Sequence, residues 1–147
     1  MDLYKLDKNE TFLISQKVLI IENGKLLILK NVEGKFNSVS QWELPGGIVE
    51  IDEDLKQSLI REVKEETGLD ISIDRFFDSF SHWLDNFKFN DGRVLNIRFI
   101  ELAYFCKKIS GKLELSEEHD NYMWATKKQL EELDFAINSK FAIKKYL

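Results

Sequence analysis

The sequence is poor in the residues that make cross-links and linkers. Its 147 residues include one cysteine, one proline and seven glycines. The single cysteine, Cys106, excludes an internal disulfide and a cysteine-based zinc cluster, and its place in an apolar strand favours a core position. Because no proline-rich or low-complexity stretch can act as a linker, residues 1–147 are expected to form a single globular domain.

Long apolar runs are missing as well. No stretch of about 18 apolar residues occurs, which argues against a transmembrane helix. The N-terminal segment, residues 1–11, lacks the uninterrupted apolar run of a signal peptide. The sequence therefore predicts a protein without membrane association, located in the cytoplasm.

Positive charge is scarce, because 21 Lys and Arg residues are outnumbered by 26 Asp and Glu residues, for a net charge of −5. Most of the excess lies in one segment, since residues 47–69 contain seven acidic and three basic residues. The rest of the chain is nearly balanced and has no basic stripe to neutralise a row of phosphates, which argues against long nucleic acid as a partner. A small anion bound through a metal ion is compatible with this distribution.

Hydrophobic patterning predicts a protein of mixed strands and helices. Apolar runs at residues 18–21 and 26–29 flank Asn23 and Gly24, and Asn-Gly between apolar runs is a strong hairpin signal. A polar loop is expected over residues 31–41. The chain therefore opens with an antiparallel pair of strands.

More strands and two helices are expected after residue 70. A strand is predicted over residues 71–80, and a second hairpin over residues 87–106. In the second strand of that hairpin, alternation puts Arg98 on the face opposite Ile97 and Phe99, and from that face it can project into a cleft. Thr126 begins a capping box, and a closing helix is expected over residues 135–146. Periodicity alone supports either α+β or α/β.

The region between the two hairpins contains the most informative helix. Residues 54–67 are predicted to be helical, with Asp52 or Asp54 as the N-cap. Gly68 is expected to end the helix, because glycine adopts the left-handed conformation of a C-cap readily.

One face of this helix is apolar and consists of Leu55, Leu59 and Val63. Glu66 falls inside that stripe and Glu62 lies at its edge, although a carboxylate on a packing face is costly unless a partner compensates it. The two glutamates are also four residues apart, a like-charge spacing that destabilises a helix by roughly 0.2–0.5 kcal/mol. These features together indicate a bound cation, and clustered carboxylate oxygens suit a hard divalent ion.

The spacing of charged residues and glycines across residues 47–69 is equally informative. It reads Gly47, five residues, Glu53, seven residues, Arg61, Glu62 and Val63, one residue, Glu65 and Glu66, one residue, then Gly68 and Leu69. Preceded by Pro45 and Gly46, this pattern resembles the Nudix box at every defined position. The resemblance implies a pyrophosphohydrolase of the α/β class, an α/β/α sandwich with a mixed β-sheet, the box helix and a C-terminal helix.

The resemblance also implies a role for each box position. The residues expected to hold the metal ion are Gly47, at the loop where a backbone carbonyl approaches it, and Glu62, Glu65 and Glu66. Glu53 is expected to support the metal cluster, and Arg61 to orient the glutamates. Magnesium is the expected ion, with manganese as an alternative.

Hydrolysis needs a base within reach of the attacking water. The candidates are Glu53 and Glu118, with Glu117 as a weaker third. Residues 116–124 resemble the part of Nudix proteins in which a further glutamate precedes a tryptophan, which favours Glu118. The predicted catalytic residues are therefore Glu53, Arg61, Glu62 and Glu118.

Three residues are predicted to contact substrate. Trp42 offers a flat ring on which a base can stack, Arg98 can project into the cleft, and His82 follows a strand and can face the same cleft. His119, next to the candidate base, is interpreted as a surface histidine.

The substrate class is inferred from absences. No proline follows Pro45, whereas a proline beyond the box accompanies ADP-ribose specificity in certain Nudix subfamilies. This absence favours a nucleoside triphosphate, standard or oxidised, cleaved to a monophosphate and pyrophosphate. ADP-ribose, dinucleoside polyphosphates and nucleotide sugars stay open as alternatives, as does a non-catalytic nucleotide-binding regulator. The protein is expected to be a monomer or a homodimer.

Overall fold

The computed structural model describes residues 8–33 and 40–147. Within them the chain forms seven strands: β1 (Glu10–Glu22), β2 (Lys25–Asn31), β3 (Trp42–Glu43), β4 (Gly46–Ile48), β5 (Asp70–Lys88), β6 (Val94–Ser110) and β7 (His119–Ala125). The helices are α1 (Leu55–Thr67), α2 (Lys127–Glu132) and α3 (Ile137–Tyr146). Most of the N-terminal segment considered above, and residues 34–39 of the predicted polar loop, lie outside the described residues.

Strand β1 is the centre of a mixed sheet with the order β3-β2-β1-β6-β5, while β4 pairs with β1 and β7 with β2. It runs parallel to β6, from Glu10 opposite Asn96 to Ile20 opposite Cys106. Its pairings with β2 and β4 are antiparallel. The mixed sheet with helices confirms the fold class predicted from the sequence.

The first hairpin is confirmed. Glu22 pairs with Lys25, and the two residues between them, Asn23 and Gly24, have φ of 51° and 75°. Two successive positive φ values are the requirement of a type I′ turn, whose twist matches that of the flanking strands.

The second hairpin is present, but the strand before it is longer than predicted. The predicted end at Phe80 is wrong, because β5 continues to Lys88 and pairs with β6 along its length. Register shifts interrupt this pairing at several places, and Asn86 has φ of 55°. Bulges of this kind let one strand absorb extra residues that break the alternating pattern.

The hydrophobic core lies on both faces of the sheet. The cluster on the α1 side includes Val18, Ile20, Leu59, Val63 and Cys106. The cluster on the α3 side includes Leu19, Trp42, Ala103, Phe135 and Ile143. Successive residues of β1 supply both clusters, because side chains alternate along a strand. Cys106 is buried, as its apolar surroundings predicted.

Helix α1 has the predicted caps. Asp54, rather than Asp52, is the N-cap, and its side chain accepts a hydrogen bond from the Gln57 amide. Gly68 forms the C-cap with φ of 74°. The apolar stripe is shorter than predicted, because Leu55 is 42% exposed at the first turn.

The C-terminal helices are also confirmed. Thr126 and Gln129 form a capping box at the start of α2, and α3 closes the chain against the sheet. No helix in residues 8–33 and 40–147 has the length and apolar character needed to span a bilayer.

Gly24 and Gly68 have nearly equal φ but different surroundings, so substituting each one separates the cost of backbone strain from the cost of a steric clash at the end of α1. A Cβ at Gly68 would lie 2.5 Å from the Lys112 carbonyl oxygen, whereas a Cβ at Gly24, with φ of 75°, would meet nothing within 4 Å. Gly24→Ala should lower the free energy of unfolding by about 1–2 kcal/mol through backbone strain alone. Gly68→Ala should cost at least about 1 kcal/mol more, because the clash is with backbone. Urea unfolding of both variants measures the difference, and equal losses would contradict it.

Candidate metal centre

Helix α1 and the loop before β7 face each other across an acidic cleft. Among the described residues it is lined by six glutamates, Glu50, Glu62, Glu65, Glu66, Glu117 and Glu118, together with Arg61 and Ser116. The predicted metal ligands of α1 and the predicted base Glu118 therefore lie in one place. Glu53 is not among the lining residues.

Glu66 is the most enclosed of these acids, at 5% exposure. Its Oε2 accepts a hydrogen bond of 2.9 Å from the backbone amide of Gly46. Burial raises the pKa of Glu66 to about 8, against the opposing effects of Lys17 and the Gly46 amide. The helix thus holds a carboxylate whose charge is incompletely compensated by protein groups.

Gly46 and Gly47 of β4 lie where other chain atoms approach closely, and the backbone contact at Gly46 requires glycine. A Cβ at Gly46, where φ is 137°, would lie 1.9 Å from the carbonyl oxygen of Gln16. A Cβ at Gly47 would lie 2.6 Å from the carboxylate carbon of Glu62. These glycines allow β4 to pair with β1 while the carboxylates of α1 reach over it.

Arg61 contacts three glutamates at once. Its Nε and Nη2 bond both carboxylate oxygens of Glu53, at 2.6 and 2.7 Å. Nη2 also lies 3.0 Å from Glu62, and Nη1 donates to Glu65 at 3.1 Å. The planar guanidinium suits such multiple contacts. Arg61 thus contacts two of the predicted metal ligands, Glu62 and Glu65, and its orienting role stays a prediction.

The same contacts give the glutamates different proton affinities. The hydrogen bonds from Arg61 lower the pKa of Glu53. Burial raises the pKa of Glu62, and the nearby Arg61 only partly offsets this effect. Glu65 is the most exposed partner of Arg61, with 59% of its side chain accessible.

His119 is not the surface histidine expected from the sequence. It begins β7, where it pairs with Asn31, and is only 4% exposed. Its Nε2 lies 2.6 Å from Oε1 of Glu43. His119, Glu66 and Glu118 each offer one ligand atom, and these atoms lie within 4.8 Å of one another.

A buried charged layer behind the cleft was missed in the sequence. Lys17 donates to the Leu44 carbonyl at 3.2 Å and lies 3.7 Å from Oε2 of Glu43. Burial lowers the pKa of Lys17, but nearby carboxylates, most strongly Glu43 and Glu66, outweigh this effect and raise it. Glu101 is buried in the same layer. The sequence feature that could have revealed Glu101 is its position in β6, on the face that alternation assigns to apolar residues.

The predicted substrate-binding residues lie elsewhere, and none of them is among the residues that line the cleft. Trp42 is 9% exposed and belongs to the core. The guanidinium of Arg98 lies over the Trp83 ring at 4.7 Å. His82 is 8% exposed and stacks on Phe99 with a centroid distance of 4.9 Å. Their contact with substrate stays a prediction.

Known proteins that are similar in sequence to this chain are Nudix proteins. The family described as NUDIX domain matches residues 14–145. The chain is 28% identical over 123 residues to nucleoside triphosphatase NudI of Escherichia coli O139:H28, covering 83% of this chain and 87% of that protein. The same figures hold for NudI of Shigella flexneri.

Solved structures give the same result. The MutT protein from Methanosarcina mazei Go1 superposes with a TM-score of 0.75 at 25% identity, over 95% of both chains. An ADP-ribose pyrophosphatase from Streptococcus suis 89-1591 has a TM-score of 0.62 at 22% identity, over 90% of this chain and 87% of its own, and shows the fold alone. The family resemblance inferred from the box is thereby confirmed, and the similarity extends over nearly the whole chain. The protein belongs to the Nudix family and is a pyrophosphohydrolase.

Proposed function

We propose that the protein hydrolyses the P–O–P linkage of a nucleoside triphosphate, releasing a monophosphate and pyrophosphate, with a divalent cation bound in the acidic cleft. The observation that carries this proposal is the convergence of Glu62, Glu66 and Glu118 on one cleft. Two of these come from α1 and the third from a loop far along the chain. Their shared position favours additional positive charge, since like charges repel and Glu66 is buried.

The residues present fit a hard divalent cation. All the acidic groups of the cleft offer oxygen donors, which magnesium prefers, and manganese accepts similar ligands. Glu62, Glu65, Glu66 and the backbone carbonyl of Gly47 are the groups proposed to hold it. A bound ion of this kind neutralises phosphate charge and lowers the pKa of a bound water.

The protein groups around that site have separate tasks in the proposed mechanism. Arg61 fixes the carboxylates of Glu62 and Glu65 so that their oxygens stay on the cleft side. Glu53 anchors Arg61 through two hydrogen bonds. The hydrogen bond from Gly46 holds Glu66 against the strand. Preorganised groups of this kind need little rearrangement during reaction.

Glu118 is proposed as the base that takes a proton from the attacking water. It lines the cleft, whereas Glu53 does not. Both oxygens of Glu53 are engaged by Arg61, and the resulting low pKa makes Glu53 a weak proton acceptor. The position of Glu118 in the cleft therefore favours it as the base, and the low pKa of Glu53 argues against that residue.

The choice of a nucleoside triphosphate is supported by similarity to NudI, a nucleoside triphosphatase. ADP-ribose, dinucleoside polyphosphates and nucleotide sugars carry the same P–O–P linkage and are the alternative substrates. A small nucleotide, rather than long nucleic acid, suits an acidic cleft that binds phosphate through metal.

A substrate panel tests the reaction. Standard and oxidised nucleoside triphosphates, ADP-ribose, dinucleoside polyphosphates and nucleotide sugars are each incubated with Mg²⁺ or with a chelator. The reaction is stopped and excess Mg²⁺ is restored before detection, because inorganic pyrophosphatase itself requires Mg²⁺. We expect phosphate from triphosphates only when pyrophosphatase is then added, because the primary product is pyrophosphate, and none where chelator was present during the reaction.

The other substrates are followed with alkaline phosphatase, which releases phosphate from newly formed monophosphate ends. Turnover confined to those substrates would replace the triphosphate assignment. Turnover that persists in chelator would remove the metal mechanism, and silence across the panel from a folded, metal-binding protein would favour a regulator.

Replacing one buried ligand tests the metal assignment. Glu66→Gln keeps an oxygen that can accept from Gly46 but removes the charge. We expect turnover to fall at least about 100-fold, because changes to residues that merely support metal ligands already cost about 10- to 100-fold. Glu131→Gln, an exposed acid of α2, is the charge-matched control and should retain normal turnover. Unchanged turnover in Glu66→Gln would show that this carboxylate holds no essential ion.

The base is tested by a pair of variants. Glu118→Gln should lower kcat about 10²- to 10⁴-fold with little change in KM, because general bases contribute rate enhancements of this size. Glu53→Gln should lower kcat only about 10-fold, because it acts through the orientation of Arg61. Steady-state kinetics with saturating Mg²⁺ measures both, and a normal rate for Glu118→Gln would transfer the role to Glu53 or another group.

A further inference from the structure

His119 is a buried side chain with one ring nitrogen that has no hydrogen-bond partner among the described residues. Its side chain is fully enclosed, with 0% exposure. Nε2 contacts Glu43, but Nδ1 has no hydrogen-bond partner among residues 8–33 and 40–147. A buried polar atom without a partner costs roughly 1–3 kcal/mol. None of the described protein groups therefore supplies a partner for Nδ1 of His119.

Glu43 determines which nitrogen carries the proton. Burial would raise the pKa of Glu43, but Lys17 and the hydrogen bonds from His119 and Asn138 outweigh it and hold the pKa well below its usual range. Asn138 Nδ2 donates to Glu43 Oε2 at 2.8 Å, so the carboxylate is fixed on both sides. An ionised carboxylate can only accept, and Nε2 must donate to it. A ring that donates through Nε2 and carries no second proton has its lone pair on Nδ1.

Two carboxylates lie beside the same ring. One ring nitrogen of His119, one oxygen of Glu66 and one oxygen of Glu118 are all within 4.8 Å of one another. A histidine that donates one N–H to a carboxylate while its other nitrogen meets further ligands is the usual arrangement of metal-binding histidines. Within the described residues, this is the one group of three such side chains.

The second histidine of the chain provides a comparison. His82 also has a buried Nδ1 without a hydrogen-bond partner. It lies 3.9 Å from the carboxylate of Glu101 and stacks on Phe99. Within the described residues, His82 is not part of a three-ligand group. An unpartnered nitrogen alone therefore does not distinguish His119, whereas the two additional carboxylates do.

We propose that His119 supplies a nitrogen ligand to a divalent cation held jointly with Glu66 and Glu118, and that Glu43 orients its ring. This inference rests on the proposed metal-dependent function and adds a ligand outside the glutamate-rich helix. Glu118 contributes one oxygen to the ion, and its other oxygen serves as the proton acceptor. Magnesium is a hard cation that prefers oxygen ligands, so a nitrogen ligand should strengthen the binding of Mn²⁺ more than that of Mg²⁺.

Pulsed electron paramagnetic resonance of the Mn²⁺-loaded protein tests this ligand directly. A nitrogen bound to Mn²⁺ produces ¹⁴N modulation of the electron spin echo, which carboxylate and water oxygens do not produce. The chain contains two histidines, so substitution can assign the signal. The protein is used without a histidine tag and in a buffer without amines, which removes other nitrogen ligands.

The informative variant is His119→Gln, because its Nε2 can still donate to Glu43 while the position of the ligand nitrogen is lost. His82→Gln is the matched control. We expect ¹⁴N modulation in the wild type and in His82→Gln, and its loss in His119→Gln. The Kd for Mn²⁺, measured from the free Mn²⁺ signal, should rise at least about 10-fold in His119→Gln and change less than about 2-fold in His82→Gln. The Kd for Mg²⁺ should rise less than that for Mn²⁺.

Several results would overturn the assignment. Wild-type protein that binds Mn²⁺ and turns over substrate without ¹⁴N modulation excludes the His119 ligand while the proposed function stands. Modulation that survives in His119→Gln excludes it as well. A wild-type protein that does not bind Mn²⁺ at all removes both proposals. The wild-type spectrum alone is decisive if a variant fails to fold, which circular dichroism reveals.

Discussion

The hydrogen bond between the Gly46 amide and the carboxylate of Glu66 is the interaction on which the cleft depends. It joins α1 to β4 at a point where a side chain on Gly46 would collide with β1. The helix consequently approaches the sheet with a buried acid at its contact face. Such an acid destabilises the fold unless positive charge is close, and the structure places Lys17 behind it.

Two positively charged side chains, Lys17 and Arg61, compensate the negative charge of the acidic residues. Lys17 is buried and acts on the inner carboxylates, whereas Arg61 is partly exposed and binds the outer ones. Lysine suits the inner position because it offers a compact charge, and arginine suits the outer position because its planar fork can engage several oxygens. The acidic residues between Lys17 and Arg61 line the cleft in which the metal ion and the substrate phosphates are proposed to bind.

Features that depend on near neighbours could be predicted from the sequence. The caps of α1 and the turn at Asn23 follow from local chemistry, and the burial of Glu66 follows from helical spacing. The burial of His119 could not be predicted, because it depends on the pairing of β7 with β2, whose partners are distant in the sequence. The long β5 was missed for a related reason, since its bulges break the alternation by which strands are recognised.

The parallel pairing of β1 with β6 has a consequence for how the protein folds. This ladder joins residues 10–20 to residues 96–106, and no local turn can bring them together. Pairings with such large sequence separation are intrinsically slow, because chain entropy is lost before the contacts are gained. Lys17 lies within this ladder, and Glu118 follows it. During synthesis, the acidic cleft can therefore assemble only after residue 118 has left the ribosome.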